Sequence, residues 1–261
     1  MIEIGDCEMG NMECLITDTG REIAYHKVAG RGPGVVFLGG FMSDMEGTKA
    51  VFLEDWARRE GRAFLRFDYS GHGQSSGEFA RGCIGDWAAD AMAAIEALTE
   101  GPQVLVGSSM GGWISLLVCR AMKERVAGLV TIAAAPDFTE DSMWASFDAD
   151  QRAALLRDGQ IMLPSEYDDP YVISLRLIED GRDQLVLRGE LKLPFPVRFL
   201  QGTADVDVDM AVALRLLAKA EGGDIRLALV KGADHRFSEP DNLALIVVSV
   251  EDVLARIGGA A

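Results

Sequence analysis

Three residue types in a fixed order frame the chemistry open to this chain: a serine between glycines, then an aspartate, then a histidine. Ser109 stands in Gly107-Ser108-Ser109-Met110-Gly111, a G-x-S-x-G pattern. A hydroxyl acts as a nucleophile when it is presented on a sharp turn and a base takes its proton. Glycines two positions either side let a strand and a helix close up against such a turn. In a chain with 29 glycines the pattern alone is weak, and its flanks make it specific. Gln103-Val104-Leu105-Val106 reads as a strand before it, and Trp113-Ile114-Ser115-Leu116-Leu117 as the opening of a helix after it. A helix starting there points unpaired N–H groups at developing negative charge.

The base and its orienting acid are expected in the order Ser, Asp or Glu, His, each on a loop after a strand. Of the three histidines, His26, His72 and His235, only His235 follows Ser109. It lies in Lys231-Gly232-Ala233-Asp234-His235, directly after an apolar run. The acid should follow the preceding strand, which selects Asp205 in Gln201-Gly202-Thr203-Ala204-Asp205. Asp207 and Asp209 are alternatives, although Asp209 reads as the cap of the next helix. Asp234 reads as a turn residue. His26 falls within a strand, and His72, between two glycines and ahead of the serine, reads as a structural loop residue. For a tetrahedral oxyanion, two backbone N–H groups are expected. One is that of Phe41, after Gly39-Gly40; the other is that of Met110, next to the serine. Gly71-His72-Gly73-Gln74-Ser75 opens no helix and is not a dinucleotide fingerprint. No metal-ligand spacing is seen, so neither a cofactor nor a metal is expected.

These residues need a scaffold that places strand ends side by side. Glu13–Thr17 and Glu22–Val28 read as an antiparallel pair around Asp18-Thr19-Gly20. Val35–Leu38, Ala63–Phe67, Gln103–Gly107, Ala127–Ala133, Val197–Leu200 and Ile225–Val230 read as strands, several of them apolar throughout as in a buried parallel sheet. Helical spacing separates them over Thr48–Glu60, Ile84–Leu98, about 209–220 and about 239–256. This alternation predicts an α/β fold with a mostly parallel central sheet and helices on both faces. It lapses between Asp137 and Pro194. The expected organisation is a core of residues 1–136 and 195–261 with a small helical cap insertion, 137–194, that includes a helical stretch at Tyr171–Ile178.

Composition bounds the partners. With 25 basic and 41 acidic residues the net charge is −16, which disfavours nucleic acid and anionic membrane surfaces. Residues 137–190 alone carry five arginines and thirteen acids. No apolar run reaches the length of a membrane span. The acidic start Met1-Ile2-Glu3-Ile4-Gly5-Asp6 resembles neither a signal peptide nor a transit peptide. Cys7, Cys14, Cys83 and Cys119 are scattered without metal-binding spacing and read as reduced thiols, so a cytoplasmic location is expected.

Leu65-Arg66-Phe67-Asp68-Tyr69-Ser70-Gly71, the segment from Gly101 to Trp113, and Met162-Leu163-Pro164-Ser165-Glu166-Tyr167 carry a resemblance. The elbow marks the α/β-hydrolase superfamily. The segments together resemble its ABHD-group palmitoyl-protein thioesterases, also described as acyl-glucuronide esterases. The resemblance runs from about Phe37 to the last helix. It implies Ser109, Asp205 and His235 as a catalytic triad. It also implies fatty or bulky acyl esters or thioesters as substrates, on small molecules or acylated proteins. Unlike the mitochondrial members of the group, this chain is expected to carry no leader, given its acidic start. It departs again at the first oxyanion donor, where Gly39-Gly40-Phe41-Met42-Ser43 replaces a glycine-tyrosine-glycine loop. Two other functions fit the same scaffold: hydrolysis of a carbon–carbon bond in a ring-cleavage product, and ligand binding without turnover.

Overall fold

The computed structural model describes residues 3–6, 13–163 and 171–258. The strands expected from the sequence appear as β2 (Glu13–Ile16), β3 (Glu22–Val28), β4 (Arg31–Leu38), β5 (Arg62–Phe67), β6 (Gln103–Ser108) and β7 (Val126–Ile132), preceded by β1 (Glu3–Asp6), which was not expected. After them come β8 (Gln160–Leu163), β9 (Tyr171–Ser174), β10 (Leu191–Lys192), β11 (Val197–Gly202), β12 (Ala220–Glu221) and β13 (Ile225–Val230). Nine of these form one sheet in the order β1-β2-β3-β5-β4-β6-β7-β11-β13. The first three strands and β5 pair antiparallel, and β5, β4, β6, β7, β11 and β13 pair parallel. The expected mostly parallel sheet is therefore present. β4 starts at Arg31, four residues earlier than the apolar run: the Gly32-Pro33-Gly34 stretch interrupts the ladder to β5 without ending the strand.

Helices α1 (Thr48–Glu60), α2 (Ile84–Leu98), α3 (Met110–Ala121), α4 (Ala149–Asp158), α5 (Leu175–Asp183), α6 (Met210–Lys219) and α7 (Pro240–Gly258) complete the chain. α1 and α7 cover one face, burying Leu53, Trp56, Val250 and Val253 against the strands. α2, α3 and α6 cover the other through Trp87, Trp113 and Leu216. Covering both faces is why β6 is buried along its whole length and reads as a continuous apolar run. Each large aliphatic side chain so buried contributes about 1.5–3 kcal/mol. α1 stops where Gly61 turns left-handed, at φ 60°, and closes the last turn through its N–H.

Between β7 and β11 the chain leaves the sheet. It makes a π-helical turn at Thr139–Trp144, then α4, the antiparallel hairpin β8–β9, α5, and β10, which pairs with β12. The helical stretch expected over Tyr171–Ile178 begins only at Leu175. Val172 and Ile173 pair with Met162 and Ile161 across the hairpin, and the Ser174 hydroxyl accepts the Leu177 N–H at 3.1 Å to start the helix. Pro164, Pro170 and most of the Met162–Tyr167 segment lie outside the described residues. At the root of this excursion Asp137, fully buried, accepts the N–H groups of Val186 at 2.8 Å and Leu187 at 3.0 Å. Asp141 binds both Arg188 and Arg215, tying the excursion to α6. Cys83 and Cys119 are free and buried. Cys14 is disulfide-bonded, a departure from the reduced state expected of it. Among the described residues no helix is long and apolar enough to cross a membrane.

Candidate active site

The elbow is built by contacts that no larger residue could make. Ser109 sits at φ 54°, ψ −119°, a backbone region an L residue occupies only when its surroundings impose it. The Ser109 N–H donates to Ile132 O at 2.9 Å, and its carbonyl accepts from Gly112 at 2.9 Å and Ala135 at 3.1 Å. A Cβ on Gly107 would lie 2.4 Å from Gly111 O, and one on Gly111 only 2.0 Å from Leu38 O. The strand-to-helix crossing is that close. α3 begins at Met110, three residues before the expected Trp113, because Gly111 and Gly112 form its first turn.

Loops from three strand ends meet at the serine. His235 Nε2 lies 3.1 Å from Ser109 Oγ, and His235 Nδ1 lies 2.9 Å from Asp205 Oδ2. A carboxylate only accepts, so Nδ1 carries the hydrogen and Nε2 is left to accept from the serine hydroxyl. The Asp205 side chain is buried, and it also accepts from Gln201 Nε2 at 2.9 Å, Asp207 N–H at 3.0 Å and Val208 N–H at 2.9 Å. Burial pushes its carboxyl up. The bonds from His235, Val208 and Gln201 outweigh that and hold it below the usual carboxylate range.

The other candidates take different places. Asp209 caps α6, accepting the Ala211 N–H at 2.7 Å, and Asp234 accepts the Phe237 N–H at 3.0 Å within its own turn. His26 lies 3.5 Å from Glu46 on the antiparallel side of the sheet. Asp205, Asp207 and His235 bring possible ligand atoms within 4.8 Å of one another. Both Asp205 oxygens and His235 Nδ1 already share hydrogen bonds, so the cluster is arranged for proton handling more than for an ion.

The two expected oxyanion donors, Phe41 and Met110, belong to segments that approach the serine. A Cβ on Gly40 would sit 3.4 Å from Ser109 Cβ, which puts the Gly39-Gly40-Phe41 turn against the nucleophile. The Phe41 N–H donates to no backbone carbonyl among the described residues. Met110 is the first residue of α3, where an N–H has no helical partner. A cavity of about 70 Å³, lined in part by Gly39, Gly40, Ser43, Lys49 and Ser108, adjoins this turn. A larger one of about 300 Å³ is lined by Arg21, Ser70, Arg81 and Asp86 among others, and by none of the site residues.

Three supporting residues were not given these parts by sequence reasoning. Gln201, four residues before Asp205, orients it from the end of β11. Lys49 donates to the carbonyl of Arg236, beside the histidine; burial, and to a lesser extent Arg236, lower its ammonium to about 8 against the pull of Asp234. His72 accepts the Met42 N–H next to Phe41. None has a sequence signature, because each acts across a fold contact.

Comparison with known proteins adds ancestry to this geometry. Residues 33–168 match the Hydrolase_4 family, serine aminopeptidase S33. The chain is 33% identical over 237 residues to the mitochondrial palmitoyl-protein thioesterase ABHD10 of Rattus norvegicus, covering 90% of this chain and 80% of that one. Among solved structures, a putative hydrolase from Agrobacterium vitis S4 superposes with a TM-score of 0.87 at 36% identity, over 97% of this chain and 98% of the other. Alpha/beta hydrolase domain-containing protein 10 from mouse does so with a TM-score of 0.84 at 29% identity, over 98% and 99%. The chain belongs to the α/β-hydrolase superfamily, within the Hydrolase_4 family and as a relative of the ABHD10 proteins.

Proposed function

We propose that this hydrolase cleaves carboxylic esters or thioesters through an acyl-enzyme on Ser109. The observation that carries the reading is the continuous hydrogen-bonded line from Ser109 Oγ through His235 to the buried Asp205 carboxylate. As Ser109 Oγ attacks the carbonyl carbon, His235 Nε2 takes its proton, and Asp205 stabilises the imidazolium that forms. The Phe41 and Met110 N–H groups hold the oxyanion. Collapse expels a thiol or alcohol, which leaves with the proton from His235. Water, deprotonated by the same nitrogen, then releases the acid. Relatives named as palmitoyl-protein thioesterases support a fatty or bulky acyl group, on a small molecule or an acylated protein.

The test is turnover of p-nitrophenyl esters and acyl-CoA thioesters from C2 to C16 by wild type and Ser109→Ala. The wild type should hydrolyse part of the panel and label stoichiometrically with a fluorophosphonate, and the variant should do neither. A variant as active as wild type would remove Ser109 from the mechanism. An inert wild type would remove the esterase and thioesterase assignment.

A further inference from the structure

We propose that His72 is a positioning residue for hydrolysis: it fixes the Gly39–Ser43 turn so that the Phe41 N–H faces the reacting carbonyl oxygen. This rests on the oxyanion role given to Phe41 above. His72 is 4% exposed and lies on the loop that follows β5. Its Nδ1 is 3.3 Å from the Ser70 carbonyl oxygen, and its Nε2 is 3.3 Å from the Met42 amide nitrogen. A carbonyl can only accept and an amide N–H can only donate. Nδ1 therefore carries the hydrogen and Nε2 is bare, so one tautomer of the neutral ring satisfies both partners. An imidazolium would point N–H at N–H.

The surroundings keep that ring in place. Tyr69, Phe79 and Trp87 pack edge-on to it with centroids at 5.6, 5.1 and 5.0 Å. The Phe41 ring packs on the same Phe79 at 4.9 Å and the same Trp87 at 6.0 Å. The side chain of Phe41 and the amide of the residue after it are thus anchored in one aromatic box, with His72 inside it. An anchor is needed, because Met42 is a non-glycine residue at φ 54°, where the backbone stays only if several contacts hold it. Nearby bonds share the work. The Ser43 N–H reaches Gly40 O at 3.2 Å, and the Met45 N–H reaches Asp68 Oδ1 at 2.6 Å. The Tyr69 hydroxyl reaches Gly39 O at 3.4 Å. Burial lowers the His72 imidazolium to about 4, so the neutral ring persists through the working range of a hydrolase.

The decisive comparison uses the full chain with His72→Phe, which keeps a ring in the box but has no acceptor, and His72→Gln, whose amide oxygen can accept in place of Nε2. Turnover of p-nitrophenyl butyrate is measured with thermal unfolding. Removal of one oxyanion donor costs about 10²–10³ in kcat, so loosening one should cost roughly 10–100-fold with KM little changed. His72→Gln should recover most of that loss. A trifluoromethyl ketone, which forms an oxyanionic adduct with the serine, should weaken in step with kcat/KM. Unchanged kcat in a folded His72→Phe protein overturns the proposal, leaving His72 a stability residue. Should that variant not fold, ¹⁵N shifts of the wild-type ring serve instead: a protonated Nδ1 and bare Nε2 at pH 7 support the proposal, and the reverse tautomer overturns it. An inert wild type removes the Phe41 role first and this one with it, whereas an active wild type indifferent to His72→Phe removes this one alone.

Discussion

Asp205→Asn is the substitution that most directly separates an orienting acid from a neighbouring carboxylate. In the ground state His235 is neutral and the pair shares a hydrogen bond. When Ser109 attacks, the ring becomes cationic, with Nδ1 2.9 Å from Asp205 Oδ2. Charge centres about 4 Å apart at an effective dielectric of about 20 attract by roughly 4 kcal/mol. The Asp205 side chain has no exposed surface, so solvent does little to screen the pair. Divided by about 1.36 kcal/mol per decade, that is about three decades of kcat. The amide adds to the loss, because its NH₂ group facing Nδ1 would force the hydrogen onto Nε2 and leave the serine without a base. The substituted amide still offers an oxygen to the Asp207 and Val208 N–H groups, so the loop should survive. Steady-state kcat on p-nitrophenyl butyrate should therefore fall by about 10³–10⁴, with unfolding temperature reported alongside. Retention of more than a tenth of wild-type kcat by Asp205→Asn, with collapse in Asp207→Asn, would refute the reasoning and pass the role to Asp207.

The remaining expectations are structural. Gly111→Ala places a Cβ 2.0 Å from Leu38 O; since two backbones would have to separate, soluble yield and unfolding temperature should both drop sharply, and wild-type melting would contradict the packing described. Asp209→Ala removes the cap of α6 and should cost about 1 kcal/mol in urea unfolding, with kcat unaltered; a large kcat loss would reopen Asp209 as the acid. For pH, His72 titrates near 4 in the fold against 6.5 ordinarily. The unfolded chain therefore binds more protons between those values, and stability rises with pH across that window. The contribution is fully present above about 6.5 and lost as pH falls through about 4, up to roughly 3 kcal/mol. Asp68, pushed up to about 6 by burial, slopes the other way but is common to wild type and His72→Gln. Urea melts from pH 7 to pH 4 should show the wild type losing stability relative to the variant, and parallel curves would contradict a buried neutral ring.

What the sequence disclosed follows from how local each constraint is. The elbow was legible because its steric demands fall within five residues. His235 was legible because no other histidine follows the serine, and Asp205 because a strand ends just before its loop. The long apolar strands were legible because burial on both faces leaves one composition open. The hairpin in the excursion was not, since Tyr171–Ser174 is too short to separate strand from helix by spacing, and its partner strand is what decides it. The early start of α3 was missed because glycines rarely open a helix unless a crossing strand requires the space. His72, Gln201 and Lys49 were invisible in their supporting parts. Met42 and Arg236, the partners of His72 and Lys49, lie 30 and 187 residues away, so nothing local records those contacts.

The Asp137 clasp bears on how such a chain can diversify. Asp137 and Val186 are 49 positions apart yet joined by a 2.8 Å bond, so both ends of the segment between them are held at nearly one point. Closing a loop of that kind costs free energy only as the logarithm of its length, about 0.6 kcal/mol for each doubling. An insertion of dozens of residues between those two positions thus weighs on the sheet less than the loss of a single buried methylene group. The clasp makes the excursion a replaceable cassette: descendants can rewrite what packs on Phe41 through Phe138 and Tyr171 at little cost to the strands that hold the serine, aspartate and histidine.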